Sequence, residues 1–276
     1  MDKIIEFQKQ VQFTLGDSVL EIIYLITSVL FIYGLKMLSH PHTAKKGNLW
    51  AATGMFIAIV ATVFLHRYEG EHIKNIGLIL AAIVLGTVTG WLIAKRVKMT
   101  EMPQLVSFFN GMGGAAAAVI ALMEFPNIQK ALIAEHGLFN WQALVIFLGI
   151  AIGSVSFSGS MLAYGKLAGK IKDIRKPFLR VINVTLFFGI IGFIVFLMTL
   201  GGNNLHELYP LVFVLFGAAL IYGVLFVSPI GGADMPVVIS LLNSFTGIAA
   251  ALGGFLYGNL VMLTGGILVG SAGTIL

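Results

Sequence analysis

Two stretches of the sequence place the same polar residues at the same spacing, 133 positions apart. The first begins with Glu101 and a Met-Pro pair and reaches Asn110, and the second begins with Asp234 and a Met-Pro pair and reaches Asn243. At 1.5 Å per residue, each amide would lie roughly 13 Å along a helix from its acid. An amide in the middle of an apolar helix must bond to another helix or to water. The spacing therefore predicts two equivalent helices that line one polar passage, with an acid at each entrance.

The same pattern also has an ordinary structural interpretation. An acid before a helix and a proline in its first turn are common start signals, because the acid favours the positive end of the helix dipole. Asn side chains also join apolar helices by hydrogen bonds between them. The two stretches are then similarly started helices held together by Asn, and the sequence alone leaves this alternative open.

Hydroxyl side chains surround the predicted passage. Such groups can relay protons through ordered water, although each can instead bond a carbonyl of its own helix. They are Ser107 on the fourth apolar run, Ser154, Ser156, Ser158 and Ser160 on the fifth, and Ser240, Ser244 and Thr246 on the eighth. The residues predicted to line the passage are Asn110, Asn243, Ser160, Ser158, Ser107, Ser240 and Ser244, with Glu101 and Asp234 at the entrances.

The sequence lacks the titratable groups that a complete proton path needs at depth. There is no Cys, and the six His all fall in or beside the connections between apolar runs. No Asp, Glu, Lys, Arg or His lies in the middle third of any run. Since proton paths normally hold a titratable group inside the membrane, a partner chain would have to supply it. The sequence predicts no catalytic residue and no metal site in this chain.

The composition identifies the elements that carry these residues. The chain of 276 residues is 58% hydrophobic and 11% charged, which is typical of a membrane protein. A bilayer core needs about 20 apolar residues per helix, and membrane-spanning segments must satisfy their own backbone. The sequence therefore predicts an all-α bundle of nine transmembrane helices. They cover approximately Ser18 to Leu38, Leu49 to Leu65, Ile76 to Ala94, Pro103 to Phe125, Trp141 to Gly165, Leu179 to Leu200, Tyr209 to Val227, Met235 to Tyr257 and Leu260 to Leu276.

The basic residues predict how the bundle lies in the membrane. The odd-numbered connections hold 12 Lys and Arg, whereas the N-terminus and the even-numbered connections hold 5. Because basic residues stay on the cytoplasmic side, the N-terminus should lie outside and the C-terminus in the cytoplasm. Glu101 and Asp234 are then both at cytoplasmic entrances. Membrane orientation explains the net charge of +5 without nucleic acid, and residues 1–276 are interpreted as a single membrane domain.

Several longer stretches resemble a known family. EMPQLVSFFNGMGGAAA, GSVSFSGSMLAYGKLAGKI and GGADMPVVISLLNSFTGIAAALGGF are similar to the membrane domain of the beta subunit of proton-translocating NAD(P) transhydrogenase, and GLKMLSHPHTAKKGN fits it as well. The resemblance implies hydride transfer between NADH and NADP⁺ coupled to proton movement across the bacterial inner membrane. It places NAD(H) on a soluble domain of the alpha subunit and NADP(H) on a soluble domain expected beyond residue 276. No cofactor is expected in this chain itself.

The resemblance also assigns roles to individual residues. It implies that Asn243 and Ser160 belong to the proton channel, and that Asp234 communicates with the NADP(H)-binding domain. Part of the family carries a His at the position of Asn110, or within a residue of it, as the central proton carrier. The resemblance therefore implies that membrane helices of the alpha subunit supply that His here, and that the whole enzyme is a dimer.

Two other functions fit the same residues. A secondary transporter built on the repeat would hold its substrate near Asn110 and Asn243, and it would take up solute without a nucleotide-binding domain. A structural anchor would use the polar residues only to hold helices together. Replacing the two Asn in an anchor would harm assembly without a specific effect on coupling.

Overall fold

Helices make up nearly all of the structure. The computed structural model describes residues 2–68, 71–135, 141–174, 176–200 and 205–275. Its helices are α1 (Asp2–Leu38), α2 (Ala44–Leu65), α3 (Ile76–Arg96), α4 (Met102–Glu135), α5 (Trp141–Leu167), α6 (Pro177–Leu200), α7 (Leu205–Val227), α8 (Met235–Leu256) and α9 (Leu260–Ile275). One 3₁₀ turn, Met99–Glu101, precedes α4, and another, Gly232–Asp234, precedes α8. Two short strands, β1 (Arg67–Tyr68) and β2 (Glu71–His72), pair antiparallel between α2 and α3.

The predicted all-helical membrane architecture is confirmed. Within the described ranges, eight helices are long and apolar enough to cross a bilayer. The ninth, α9, has 16 residues and extends about 24 Å at the usual helical rise. It is therefore shorter than the hydrocarbon core of a typical bilayer, which is roughly 30 Å thick.

The helix ends differ from the predicted ends where polar residues or a proline flank an apolar run. The helix α1 begins at Asp2 rather than near Ser18, and α4 continues past Phe125 to Glu135. Pro126 lies inside α4, although proline removes a backbone donor and is disfavoured in helix interiors. Counting apolar residues locates the membrane core of each helix, and a helix can continue beyond that core.

The helices fall into two compact units, Met1–Arg96 and Val97–Leu276. In the first, α1 packs closely on α2, since a Cβ atom on Gly47 would lie 2.7 Å from the Gly34 carbonyl oxygen. The Tyr24 hydroxyl and Thr62 Oγ1 share a hydrogen bond of 2.8 Å across the same pair of helices. No residue of α3, all of which the structure describes, is buried.

The second unit is organised around α5, in which more than half of the residues are buried. This helix packs against α4, α7 and α8. Its apolar half, including Ile146, Phe147 and Ile150, forms a core with Leu208 and Leu215 of α7. Its other half is rich in Gly and Ser, which let neighbouring backbones approach closely. The predicted passage residues lie in this second half and on the helices around it.

Two helix pairs in the second unit make the same backbone contact. A Cβ atom on Gly153 of α5 would lie 2.8 Å from the backbone nitrogen of Ala118 in α4. A Cβ atom on Gly266 of α9 would lie 2.5 Å from the backbone nitrogen of Ala251 in α8. Ala118 and Ala251 are 133 positions apart, the spacing of the sequence repeat. The repeat therefore extends to the way in which α4 and α8 each pack on the next helix of their pair.

Candidate functional site

The site begins with a buried amide on α4. Asn110 Nδ2 donates a hydrogen bond of 2.9 Å to Ser160 Oγ on α5. One turn earlier on α4, Ser107 Oγ donates to the Ser160 carbonyl oxygen at 2.8 Å. All three residues are buried. Three of the predicted passage residues thus form one cluster between α4 and α5.

The other end of the Asn110 amide has no partner among the described residues. Asn110 is 8% exposed, and its Oδ1 atom is buried without a hydrogen bond from any part of the chain that the structure describes. A buried acceptor left unsatisfied costs about 1–3 kcal/mol. A donor that reaches this oxygen would therefore bind favourably, which makes Asn110 Oδ1 the acceptor of the candidate site.

Two hydroxyls connect α8 to the same cluster. Ser156 Oγ on α5 donates to the Leu242 carbonyl oxygen at 2.9 Å and shares a hydrogen bond of 2.5 Å with Thr246 Oγ1. Thr246 Oγ1 also lies 3.4 Å from the backbone oxygen of Asn110. Polar atoms of α4, α5 and α8 therefore meet at one level. The sequence contained Ser156 and Thr246 as hydroxyls near the passage, but nothing in it separated them from their neighbours.

Asn243 is placed differently from Asn110. It is partly buried on α8, and its side chain has no hydrogen bond to any residue that the structure describes. Ser244, the next residue, bonds the Ser240 carbonyl oxygen of its own helix at 3.2 Å. Ser240 Oγ donates to the Gly273 carbonyl oxygen on α9 at 2.9 Å. The Asn243 amide is therefore the less constrained of the two repeated amides.

Ser158 points away from the cluster. Its hydroxyl donates to the Ser154 carbonyl oxygen of its own helix at 3.0 Å. Its Oγ atom also contacts the face of α7 where Gly223 lies, because a Cβ atom on Gly223 would overlap it. Ser158 therefore belongs to the α5–α7 packing, whereas Ser160 meets α4 and Ser156 meets α8.

The two repeated acids occupy equivalent local structures. Glu101 ends one 3₁₀ turn and Asp234 ends the other, and both are exposed immediately before their helices. Asp234 is the N-cap residue of α8 but makes no side-chain capping hydrogen bond. The Glu101 carboxylate accepts a long hydrogen bond of 3.4 Å from the backbone nitrogen of Lys98. Any contribution of Asp234 to starting α8 is therefore electrostatic, through the helix dipole, and does not come from a capping bond.

A pair that the sequence pattern did not single out joins the end of α8 to α4, about four turns beyond the polar cluster. Tyr257 donates its hydroxyl to Glu124 Oε2 at 3.0 Å. These residues are 133 positions apart, so the repeat spacing is a signal that could have found them. Between this pair and the polar cluster lies an apolar pocket of about 150 Å³ lined by small residues of both helices, among them Ala117 and Ala250. The polar level is therefore separated from the Glu124 end by an apolar stretch.

The part of the chain that the structure describes contains no cluster of side chains that could bind a metal ion. No three His, Asp or Glu side chains lie together there, and the sequence has no Cys. The groups that meet at the site are amides and hydroxyls. Such groups donate and accept hydrogen bonds but do not hold a charge near neutral pH. The arrangement suits the relay of a proton or the coordination of a small polar species.

These features define the class of the protein: a multi-pass membrane helix bundle with a buried polar site between α4, α5 and α8. A family model for the NAD(P) transhydrogenase beta subunit matches residues 20–276, and the chain belongs to that family. Two relatives from Rhodospirillum rubrum, both NAD(P) transhydrogenase subunit beta, are each 40% identical to the chain over 256 residues. That match covers 92% of this chain and 53% of each relative, so the chain spans about half the length of these curated relatives.

Proposed function

We propose that this chain is the proton-translocating membrane part of NAD(P) transhydrogenase, which couples proton movement to hydride transfer between NADH and NADP⁺. Membership of the beta-subunit family supports the enzyme class. The observation that supports the proton path is the buried cluster around Asn110 and Ser160, in which an amide oxygen has no donor among the described residues. The partly buried Asn243 amide on α8 is the second element of this path.

The side chains of this cluster would act as a relay and not as the proton carrier. Amides and hydroxyls pass hydrogen bonds along but remain neutral at physiological pH. A titratable group from the membrane helices of an alpha subunit would hold the proton and would donate a hydrogen bond to Asn110 Oδ1. Asn243 and Thr246 would then continue the path along α8. Control of the path requires that the nucleotide-bearing domains favour one of its hydration states.

The proposed orientation puts both acids on the cytoplasmic side of a bacterial inner membrane. It follows from the excess of Lys and Arg in the odd-numbered connections. Asp234 and Glu101 would then face the NADP(H)-binding domain, and Glu124 would lie on the outer side. NAD(H) and NADP(H) would bind soluble domains of the complete enzyme, which we propose to be a dimer of whole enzymes.

Replacing Asn243 tests this function. In the whole enzyme reconstituted into vesicles, N243L should reduce coupled proton uptake to less than about a tenth, since loss of the geometry at a working site can cost about 100-fold. The matched control is N183L, because Asn183 donates to the Leu225 carbonyl oxygen and joins α6 to α7 away from the cluster. N183L should lower stability and leave coupling per folded enzyme unchanged. Normal pumping by N243L would contradict the proposal, and solute uptake by this chain alone would favour a transporter.

A further inference from the structure

A buried lysine joins three segments at the entrance end of the second unit. Lys166 lies in the last turn of α5, and its side chain is 3% exposed. Its Nζ donates to the carbonyl oxygens of Val227 at 3.1 Å, Ser228 at 2.6 Å and Ile230 at 2.9 Å. It also pairs with Asp173 Oδ1 at 3.1 Å. A single ammonium group therefore contacts the end of α7, the link that follows it and the loop after α5.

These contacts form a site built for a positive charge. A buried ammonium is costly unless it is paired and hydrogen-bonded, and Lys166 has both kinds of partner. The last carbonyls of a helix carry partial negative charge and have no partner within the helix. Lys166 supplies a donor to the end of α7, and Asp173 supplies the balancing charge from a side chain that is 34% exposed.

The backbone around Lys166 is held in place on both sides. Gly169 has φ +69° and closes α5, with its backbone nitrogen bonded to the Lys166 oxygen at 2.9 Å. The left-handed conformation at that position favours glycine. The Ile174 backbone nitrogen donates to the same Ser228 oxygen that accepts from Lys166, at 3.2 Å. The loop after α5 and the link after α7 are thus bound to each other directly and through the lysine.

The link held by Lys166 leads straight to the entrance acid. Ile230 is four positions before Asp234, and Gly231 and the 3₁₀ turn Gly232–Asp234 are all that separate it from α8. Met235, the first residue of α8, is fully buried in a cluster with Ala163 and Val227. The segment from residue 228 to residue 235 is therefore fixed at both ends, by polar contacts to Lys166 and by apolar packing of Met235.

We propose that Lys166 is a positioning residue for Asp234. By fixing the link between α7 and α8, it sets the position at which Asp234 meets the nucleotide-bearing domain, so that a change at that domain moves α8 and its Asn243 as one body. The positioning part of this inference stands on the contacts above. Its effect on coupling rests on the proposed function.

A probe on the link tests the positioning directly. Residues 1–276 contain no Cys, so G232C introduces their one thiol for a nitroxide spin label once any Cys in the rest of the enzyme is replaced, and a Cβ atom on Gly232 meets nothing within 4 Å. In the whole enzyme, K166M should increase the mobility of this label. The matched control is K172M, which removes the same charge from an exposed side chain of the same loop. K172M should leave the label spectrum unchanged, and an unchanged spectrum in K166M would overturn the inference.

Coupled proton uptake tests the functional consequence. K166M should lower uptake about tenfold per folded enzyme, because small misplacements of a working group cost that much or more, and K172M should retain it. If K166M is not recovered folded, D173N replaces it, since it keeps the three carbonyl contacts and removes only the balancing charge. D173N should raise label mobility and lower uptake roughly two- to threefold, a smaller loss because Asp173 is partly exposed. If D173N changes neither the mobility of the label nor the proton uptake, the inference is overturned.

The test of Lys166 and the test of the proposed function can be told apart. N243L is measured in the same vesicles. If N243L pumps normally, the proposed function fails while the label experiment still decides the positioning. If N243L blocks uptake and the Lys166 variants pump normally, only the inference about Lys166 fails.

Discussion

The helix pairs α4–α5 and α8–α9 have the same framework but treat their central amides differently. Ser107 Oγ on α4 donates to the Ser160 carbonyl oxygen on α5 at 2.8 Å. Ser240 Oγ on α8 donates to the Gly273 carbonyl oxygen on α9 at 2.9 Å. Ser107 and Ser240 are 133 positions apart, as Asn110 and Asn243 are. The two pairs therefore share an interhelical hydrogen bond as well as their backbone contact.

The difference between the pairs lies in one side chain. On α5, the residue whose carbonyl accepts the shared bond is Ser160, and its hydroxyl also binds the Asn110 amide. On α9, the corresponding residue is Gly273, which has no side chain to offer Asn243. A Cβ atom on Gly273 would lie 2.7 Å from the Ser240 carbonyl oxygen, so close packing excludes a larger residue there. Close packing of α9 on α8 thus leaves Asn243 unanchored, whereas Asn110 is held.

This contrast fits a relay with one fixed and one adaptable member. An amide held by Ser160 presents Asn110 Oδ1 in one direction, as a recognition element for an incoming donor would require. An amide without a bond to the described residues can change partners when α8 moves. The duplicated framework therefore places Asn110 and Asn243 at matching positions along their helices. The difference between Ser160 and Gly273 leaves Asn243 freer than Asn110 to change its hydrogen-bond partners.

The largest expected effect comes from disturbing the shared backbone contact. G153A and G266A each place a Cβ atom against the backbone of the facing helix, and each should destabilise the protein by about 1–3 kcal/mol. The loss should occur although Ala is the better helix former by roughly 1 kcal/mol. The control is G189A on α6, where a Cβ atom meets nothing within 4 Å and stability should hold or rise. Thermal unfolding in detergent measures all three, and a loss in only one pair would break the equivalence.

A double-mutant cycle measures the contrast between the amides. N110A and S160A remove the two partners of one hydrogen bond, so their effects should be coupled by about 0.6 kcal/mol, and by no more than about 1.7 kcal/mol. N243A and S160A remove groups that no hydrogen bond joins, so their effects should add within about 0.5 kcal/mol. Equal coupling in both cycles would mean that Asn243 also depends on Ser160, and the contrast would fail.

The fold followed from the sequence because membrane helices are set by the length of apolar runs. The pattern could not give the extent of α4 beyond Pro126, since continuation past a proline depends on the rest of the helix. It also could not give the strands β1 and β2, because two residues are too few to show a period. The same limit applies to helix ends in general, where polar residues continue a helix without continuing its apolar pattern.

The site could be predicted only in part. Asn110, Ser107 and Ser160 are conspicuous because they are polar residues in apolar runs, and the structure brings them together. Ser158 lies in the same small-residue run but faces α7, since a run with hydroxyls at alternate positions does not reveal which helix lies on which side. In the sequence, Lys166 is only one of several basic residues in a connection between two apolar runs. Its burial depends on carbonyls some 60 positions later in the chain, which no local pattern predicts.

The smallest expected effect decides whether the two pairs are also equivalent in energy. S107A and S240A each remove the shared interhelical hydrogen bond, and each should cost about 0.6 kcal/mol, the usual size of such bonds in membranes. The control is S271A, because the Ser271 hydroxyl on α9 bonds, among the described residues, only the Ile267 carbonyl oxygen of its own helix. Equal losses in unfolding free energy, with none in S271A, would assign the difference between the amides to the Ser160 hydroxyl. A loss in S107A alone would instead show that glycine contacts hold α8 against α9 without the Ser240 hydrogen bond. The freedom of Asn243 would then result from the packing of the α8–α9 pair as a whole and not from the side chain that Gly273 lacks.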